Sequence, residues 1–122
     1  MFTCAQMMTS PNLPPGLLLF VLEGHEPRQA KSLDEWGEFM EKQDRFLAQE
    51  VLADGSMVST VFLGTAMPHA PNLLFETAHF LSSDNPSDTI EILKHYATWK
   101  DAMEGHAMFS TALRLLQKEL GE

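Results

Sequence analysis

The chain has a single cysteine, Cys4, so it cannot close an internal disulfide or assemble a cysteine-based zinc site. That usage suits a reducing compartment, and a cytoplasmic location is the simplest expectation. Basic residues are also scarce: eight Lys and Arg stand against seventeen Asp and Glu, a formal net charge of -9. Such a chain repels a phosphate backbone, which argues against a long nucleic acid as partner. A small anionic ligand is compatible with it, because a few basic groups act locally while distant charges are screened within about 8 Å. The only long apolar run, Gly16 to Leu22, falls far short of the roughly 20 residues that span a bilayer, so no membrane span is expected. Met1 to Pro15 places no basic residue ahead of that run and is interrupted by Pro11, Pro14 and Pro15, which does not read as a secretory leader. We read residues 1–15 as a flexible N-terminal extension and 16–122 as one α+β domain.

Recognisable catalytic patterns are missing as well. His25, His69, His79, His95 and His106 include no i,i+4 pair and no H-E-x-x-H arrangement, so no metal site is expected. Ser59 has no G-x-S-x-G setting, and Cys4 lies in the extension, away from any pattern that lowers a thiol pKa. Neither G-x-G-x-x-G nor a P-loop occurs. The expectation is a protein without catalytic residues and without a cofactor.

What the sequence does contain is enough apolar residue, 44% of 122, for one core. Leu17 to Leu22, closed by Gly24 and Pro27, reads as a strand buried on both faces. Ser32 followed by Glu35 is a capping-box pattern, and Leu33, Trp36, Phe39 and Met40 then recur at helical spacing, with Trp36 as the anchor. Arg45 to Leu52 alternates with apolar residues on both faces, as in a central strand. Asp54-Gly55 separates it from a strand over Met57 to Gly64, a strong hairpin signal. Two further strands, Leu73 to Phe80 and Thr89 to Tyr96, complete an antiparallel meander. Thr98 is placed to cap a long helix ending near Leu120, with a stripe of Trp99, Ala102, Met103, His106, Phe109, Leu113, Leu116 and Leu120. The expected order is β-α-β-β-β-β-α, an antiparallel sheet with helices packed on it.

Several residues carry possible binding chemistry. His106 falls in the apolar stripe directly after Gly105, as a core histidine or a pocket-lining donor. Glu76 lies on a largely apolar strand face and needs a partner, for which Arg45 and Lys94 are the natural candidates. Lys94, His95, Tyr96, Trp99 and Lys100 set aromatics among basic groups where the last strand meets the last helix; they either stack a base and hold a phosphate or plug the end of the core.

The segments Val58-Ser59-Thr60-Val61-Phe62-Leu63-Gly64, Leu73 to Phe80, and Tyr96-Ala97-Thr98-Trp99 with Glu104-Gly105-His106 resemble a widespread family of small phage and prophage proteins. The helix ending in Asp44-Arg45 belongs to the same pattern, which spans about residues 17 to 113. That family is similar to the first kind of phage anti-Thoeris proteins, which sequester cyclic ADP-ribose-type signals without cleaving them. The resemblance implies a symmetric homo-oligomer and a nucleotide-derived ligand. It also implies aromatic stacking on the base, for which Phe75, Phe80, Tyr96 and Trp99 are candidates, and donors from Arg45, His95 and His106. One departure stands out: many relatives read Leu-Asp-His after the glycine, whereas Thr65-Ala66-Met67-Pro68 precedes His69 here. Two other readings are an acidic inhibitor docking on a host defence complex such as a CRISPR effector, and a small phage structural or interaction protein.

Overall fold

The computed structural model describes residues 16–66, 68–81 and 90–121, with the backbone alone at Gly121. The N-terminal extension expected over residues 1–15 lies outside them. Seven strands and two helices occur in the described residues: β1 (Leu18–Glu23), β2 (Glu26–Gln29), α1 (Leu33–Lys42), β3 (Phe46–Val51), β4 (Met57–Phe62), β5 (Thr65–Ala66), β6 (Phe75–Phe80), β7 (Ile90–Tyr96) and α2 (Trp99–Gly121). The fold is α+β, and the main elements follow the expected order.

The strands divide between two antiparallel sheets rather than one. The larger is the expected meander, β3-β4-β6-β7; the smaller has the order β2-β1-β5. Sequence reading stopped the first strand at Gly24 and Pro27 and therefore missed β2. Gly24, with φ +63°, is the first of two residues joining the Glu23↔Glu26 pair, a position glycine takes in a II′ hairpin. Pro27 donates no hydrogen bond, which is tolerated because β2 is an edge strand. β1 is also not buried on both faces: Val21 alone of its residues is fully buried, since the small sheet is covered only in part.

The Asp54-Gly55 hairpin is present as a three-residue loop, with Leu52 N donating to Ser56 O at 2.7 Å and Gly55 at φ +87°. Asp54 Oδ1 accepts from Ser56 N at 2.9 Å, closing the turn from the side chain. β3 is an edge strand, not a central one, and its two-sided apolar alternation has another cause. Its inner face meets α2, while Phe46 and Val51 stay exposed on the outer face.

α1 begins as expected: Ser32 Oγ accepts from Glu35 N at 3.0 Å. Glu35 reaches back to Lys31 N at 2.8 Å and pairs with Arg28 on β2, 2.6 Å from Nη2. Trp36 anchors the helix by donating Nε1–H to Gly64 O at 2.8 Å, and the same carbonyl accepts from Phe20 N on β1 at 2.8 Å. Gly64, at φ +77° with Met40 Sδ 2.8 Å from where a Cβ would stand, thus joins α1, the small sheet and the end of β4.

α2 lies across the inner face of the meander and closes a core of Phe62, Ala66, Leu74, Phe75, Tyr96 and Ala102. Its covered face contains Ala102, Gly105, His106, Phe109, Ser110 and Leu113. Leu116 and Leu120 continue the expected stripe but are exposed, and Met103 lies beside it. The reason is length: 23 residues extend about 34 Å, whereas six-residue strands reach about 20 Å, so the last turns of the helix run past the sheet.

Candidate functional site

A cleft of about 650 Å³ opens between the β1–β2 hairpin, the loop around Pro71 and Asn72, and the start of α2. Its volume falls within the range of small-molecule sites. Phe20 and Leu74 form an apolar floor, and Glu26, Gln29, Asn72, Thr98 and Lys100 supply polar groups. Trp99 stands in one wall with its ring stacked on that of His25, centroids 3.8 Å apart and planes within 5°. Phe75 supports Trp99 from below, edge-on at 6.3 Å. Thr98 Oγ1 accepts from Asp101 N at 3.1 Å, fixing the first turn of α2, whose free N–H groups and positive dipole end lie at the cleft beside Lys100. The site therefore combines a flat aromatic surface, a cation and a helix N-terminus.

Trp99 is the one of the seven expected ligand residues that lines this cleft. Tyr96 and His95 line a second cleft of about 360 Å³ with Lys94, Asp101 and Glu104. Tyr96 is buried, its hydroxyl lies where a Cβ on residue 105 would be 2.1 Å away, and it finds no hydrogen-bond partner among the described residues. Phe75, a stacking candidate through the resemblance alone, is fully buried in the core against Phe62 and Trp99 and has no free face for a ligand. Phe80 and Arg45 line none of the four described clefts. Arg45 instead donates from Nη1 to Phe62 O at 3.3 Å at the start of β3.

Glu76 pairs with neither Arg45 nor Lys94. Its Oε2 lies 2.9 Å from Nε2 of His95, the residue directly opposite it on β7. Lys94 is placed on the other face of β7 by strand alternation, within 5.7 Å of the Tyr96 ring. His106 is buried with Nδ1 2.8 Å from Thr60 Oγ1, which also lies 2.6 Å from Thr77 Oγ1. Burial holds its pKa below the ordinary histidine value, opposed in part by the charge of Glu50. These contacts give His106 a place in a buried polar layer between sheet and helix.

That layer holds a second group unseen in the sequence. Ser56 Oγ lies 3.0 Å from His79 Nε2, and His79 Nδ1 lies 3.7 Å from Glu91, the order of a nucleophile, base and acid. Ser56 Oγ, however, donates its O–H to Asp54 Oδ1 at 2.5 Å, and Ser56 is fully buried. The arrangement ties the β3–β4 hairpin to β6 and β7. Among the described residues no group of three or more His, Cys, Asp or Glu side chains is placed to hold a metal, and no helix is long and apolar enough to cross a membrane.

The residues missed at the main cleft are His25, Gln29 and Asn72, which come from a turn, an edge strand and a loop. Recognising Gly24-His25 as a hairpin turn is the signal that points to the first two. Comparison with protein-family models, curated proteins and solved structures finds no match to this chain.

Proposed function

We propose that the protein binds a small nucleotide-derived ligand in the cleft at the start of α2 and holds it without chemical change. The observation that carries this reading is the parallel His25–Trp99 stack at the mouth of a 650 Å³ cleft beside Lys100 and a helix N-terminus. A planar base takes the place of His25 against Trp99, exchanging one stacking partner for another. A phosphate faces Lys100 and the first N–H groups of α2. In this reading the chain is a phage anti-defence protein that sequesters a cyclic ADP-ribose isomer, or a related cyclic nucleotide, in the host cytoplasm. The likeness of Val58 to Gly64 and of Tyr96 to His106 to the phage family supports the biological setting.

The test is thermal unfolding with a panel of cyclic ADP-ribose isomers and cyclic di- and trinucleotides, followed by analysis of the ligand released on heating. A ligand at one hundred times its Kd adds about 2.7 kcal/mol to stability, which raises Tm by several degrees. Intact ligand in the released fraction supports sequestration, whereas a cleaved product overturns it. A second reading rests on the net charge of -9 and on Asp34, Glu38 and Glu41, all exposed on α1. These suit an inhibitor docking on a basic surface of a host defence complex. No shift across the panel, with capture of such a complex from host lysate, favours that alternative.

A further inference from the structure

His25 stands at the tip of the β1–β2 hairpin, where Glu23, Gly24, His25 and Glu26 are all exposed. Its ring nonetheless lies flat on Trp99, with 3.8 Å between centroids, and among the described residues it makes no hydrogen bond or ion pair. The turn itself is unpacked: a Cβ on Gly24 would meet nothing within 4 Å, and β2 pairs with β1 alone. Lower down, the hairpin is tied to the rest of the fold. Phe20 N donates to Gly64 O at 2.8 Å, and Arg28 Nη2 lies 2.6 Å from Glu35 on α1. Arg28 also pairs with Glu23, a contact internal to the hairpin that moves with it. Beyond the Val21↔Arg28 pair the hairpin has a free arm of two more residue pairs and the turn, roughly 7 Å of strand. The stack on Trp99 is what ties this arm to α2.

We propose that the hairpin tip is an autoinhibitory gate: His25 occupies the face of Trp99 in the free protein, and the tip swings about its anchored base when a ligand's ring takes that face. The proposal rests on the ligand reading above and adds its regulation. An imidazole is one of the two fused rings of a purine, so His25 fills the stacking surface as a stand-in for the ligand. Of the two partners it is the histidine that leaves. Trp99 is half-buried, built into the first turn of α2 and held edge-on by Phe75 at 6.3 Å, whereas His25 has only an exposed turn behind it. Glu26 lines the cleft from the same tip, so the closed hairpin also sets a negative charge beside the space an anionic ligand enters. Opening removes both obstacles together. An aromatic pair of this kind favours the closed form about two- to tenfold, and the apparent Kd of the ligand rises by a similar factor because only the open form binds. A tight ligand tolerates that factor, while weakly stacking solutes are kept off the ring.

Two measurements on the full chain test the gate, using variants at an exposed position that leave the fold intact by circular dichroism. The first needs no ligand. In a Trp36→Phe background Trp99 is the sole tryptophan. His25→Ala there raises quenching by acrylamide about twofold or more, because the histidine ring shields Trp99 most of the time. His25→Phe, which keeps a flat ring at the tip, leaves quenching near the level seen with histidine. The second measurement is calorimetric titration with the cyclic ADP-ribose isomers. The expected Kd falls about three- to tenfold in His25→Ala and stays at or above the wild-type value in His25→Phe. Unchanged acrylamide quenching in His25→Ala overturns the gate whether or not an isomer binds. An isomer that binds His25→Ala no more tightly than the wild type also overturns it, and makes His25 a wall of the cleft. If no isomer binds either protein the ligand reading fails, and the acrylamide result alone decides whether His25 covers Trp99.

Discussion

His106 and Gly105 show how much rests on single positions. A Cβ at residue 105 would lie 2.1 Å from Tyr96 Oη and 2.4 Å from Cζ and Cε1 of the same buried ring. Gly105→Ala therefore forces α2 away from β7, with an expected cost of about 1–3 kcal/mol, read as a lower urea midpoint. His106 makes a pH prediction of definite sign. Its folded pKa lies below its unfolded value, so the native state binds a proton less readily than the unfolded chain. Stability falls as pH drops through the ordinary histidine range near 6.5, and the loss levels off below the lowered folded pKa. In His106→Gln the Thr60 contact has a neutral replacement, and the difference in stability between pH 7.5 and pH 5 becomes smaller than in the wild type. An equal pH dependence in both proteins contradicts this account. Sequence alone placed His106 on the helix face that meets the sheet but left its role open, because Thr60 lies 46 residues away and no local pattern reports such a contact.

At the scale of elements, legibility followed the range of the interactions. The Ser32 cap, the Thr98 cap and the Asp54-Gly55 turn are set within a few residues, and all three appear in the structure. The edge position of β3, the division into two sheets and the Glu76–His95 pair depend on which strands neighbour which, and alternation carries no such information. The cleft was legible through Trp99 and Lys100 on one wall, since its opposite wall belongs to the β2 hairpin that Pro27 disguised. One carbonyl, that of Gly64, joins α1 to both sheets. Trp36→Phe removes the indole N–H from it and some buried volume, with an expected loss of about 1–3 kcal/mol in thermal unfolding. The Arg28–Glu35 pair ties β2 to the first turn of α1, and Glu35 is lowered to about 2, chiefly by hydrogen bonding to Arg28. Its contribution is present above the ordinary carboxylate range near pH 4.5 and is lost as pH falls towards 2. Glu35→Gln should flatten the acid limb of the unfolding curve.

For the whole molecule, the account assigns different work to different surfaces. The small sheet and the start of α2 form a cleft with a stacked aromatic pair, while Phe46, Val51, Ile90 and Ile92 are exposed on the outer face of the large sheet. The central claim is that Trp99 forms the ligand surface, and the chain offers a direct reporter. Its two tryptophans are Trp36, buried and held by Gly64, and Trp99, which faces the cleft. Titration of the protein with a cyclic ADP-ribose isomer, followed by tryptophan fluorescence, is the measurement to make first. The account predicts saturable quenching in the wild type, its retention in Trp36→Phe, and loss of both quenching and thermal stabilisation in a folded Trp99→Ala. Stabilisation by the ligand that persists undiminished in Trp99→Ala would contradict it.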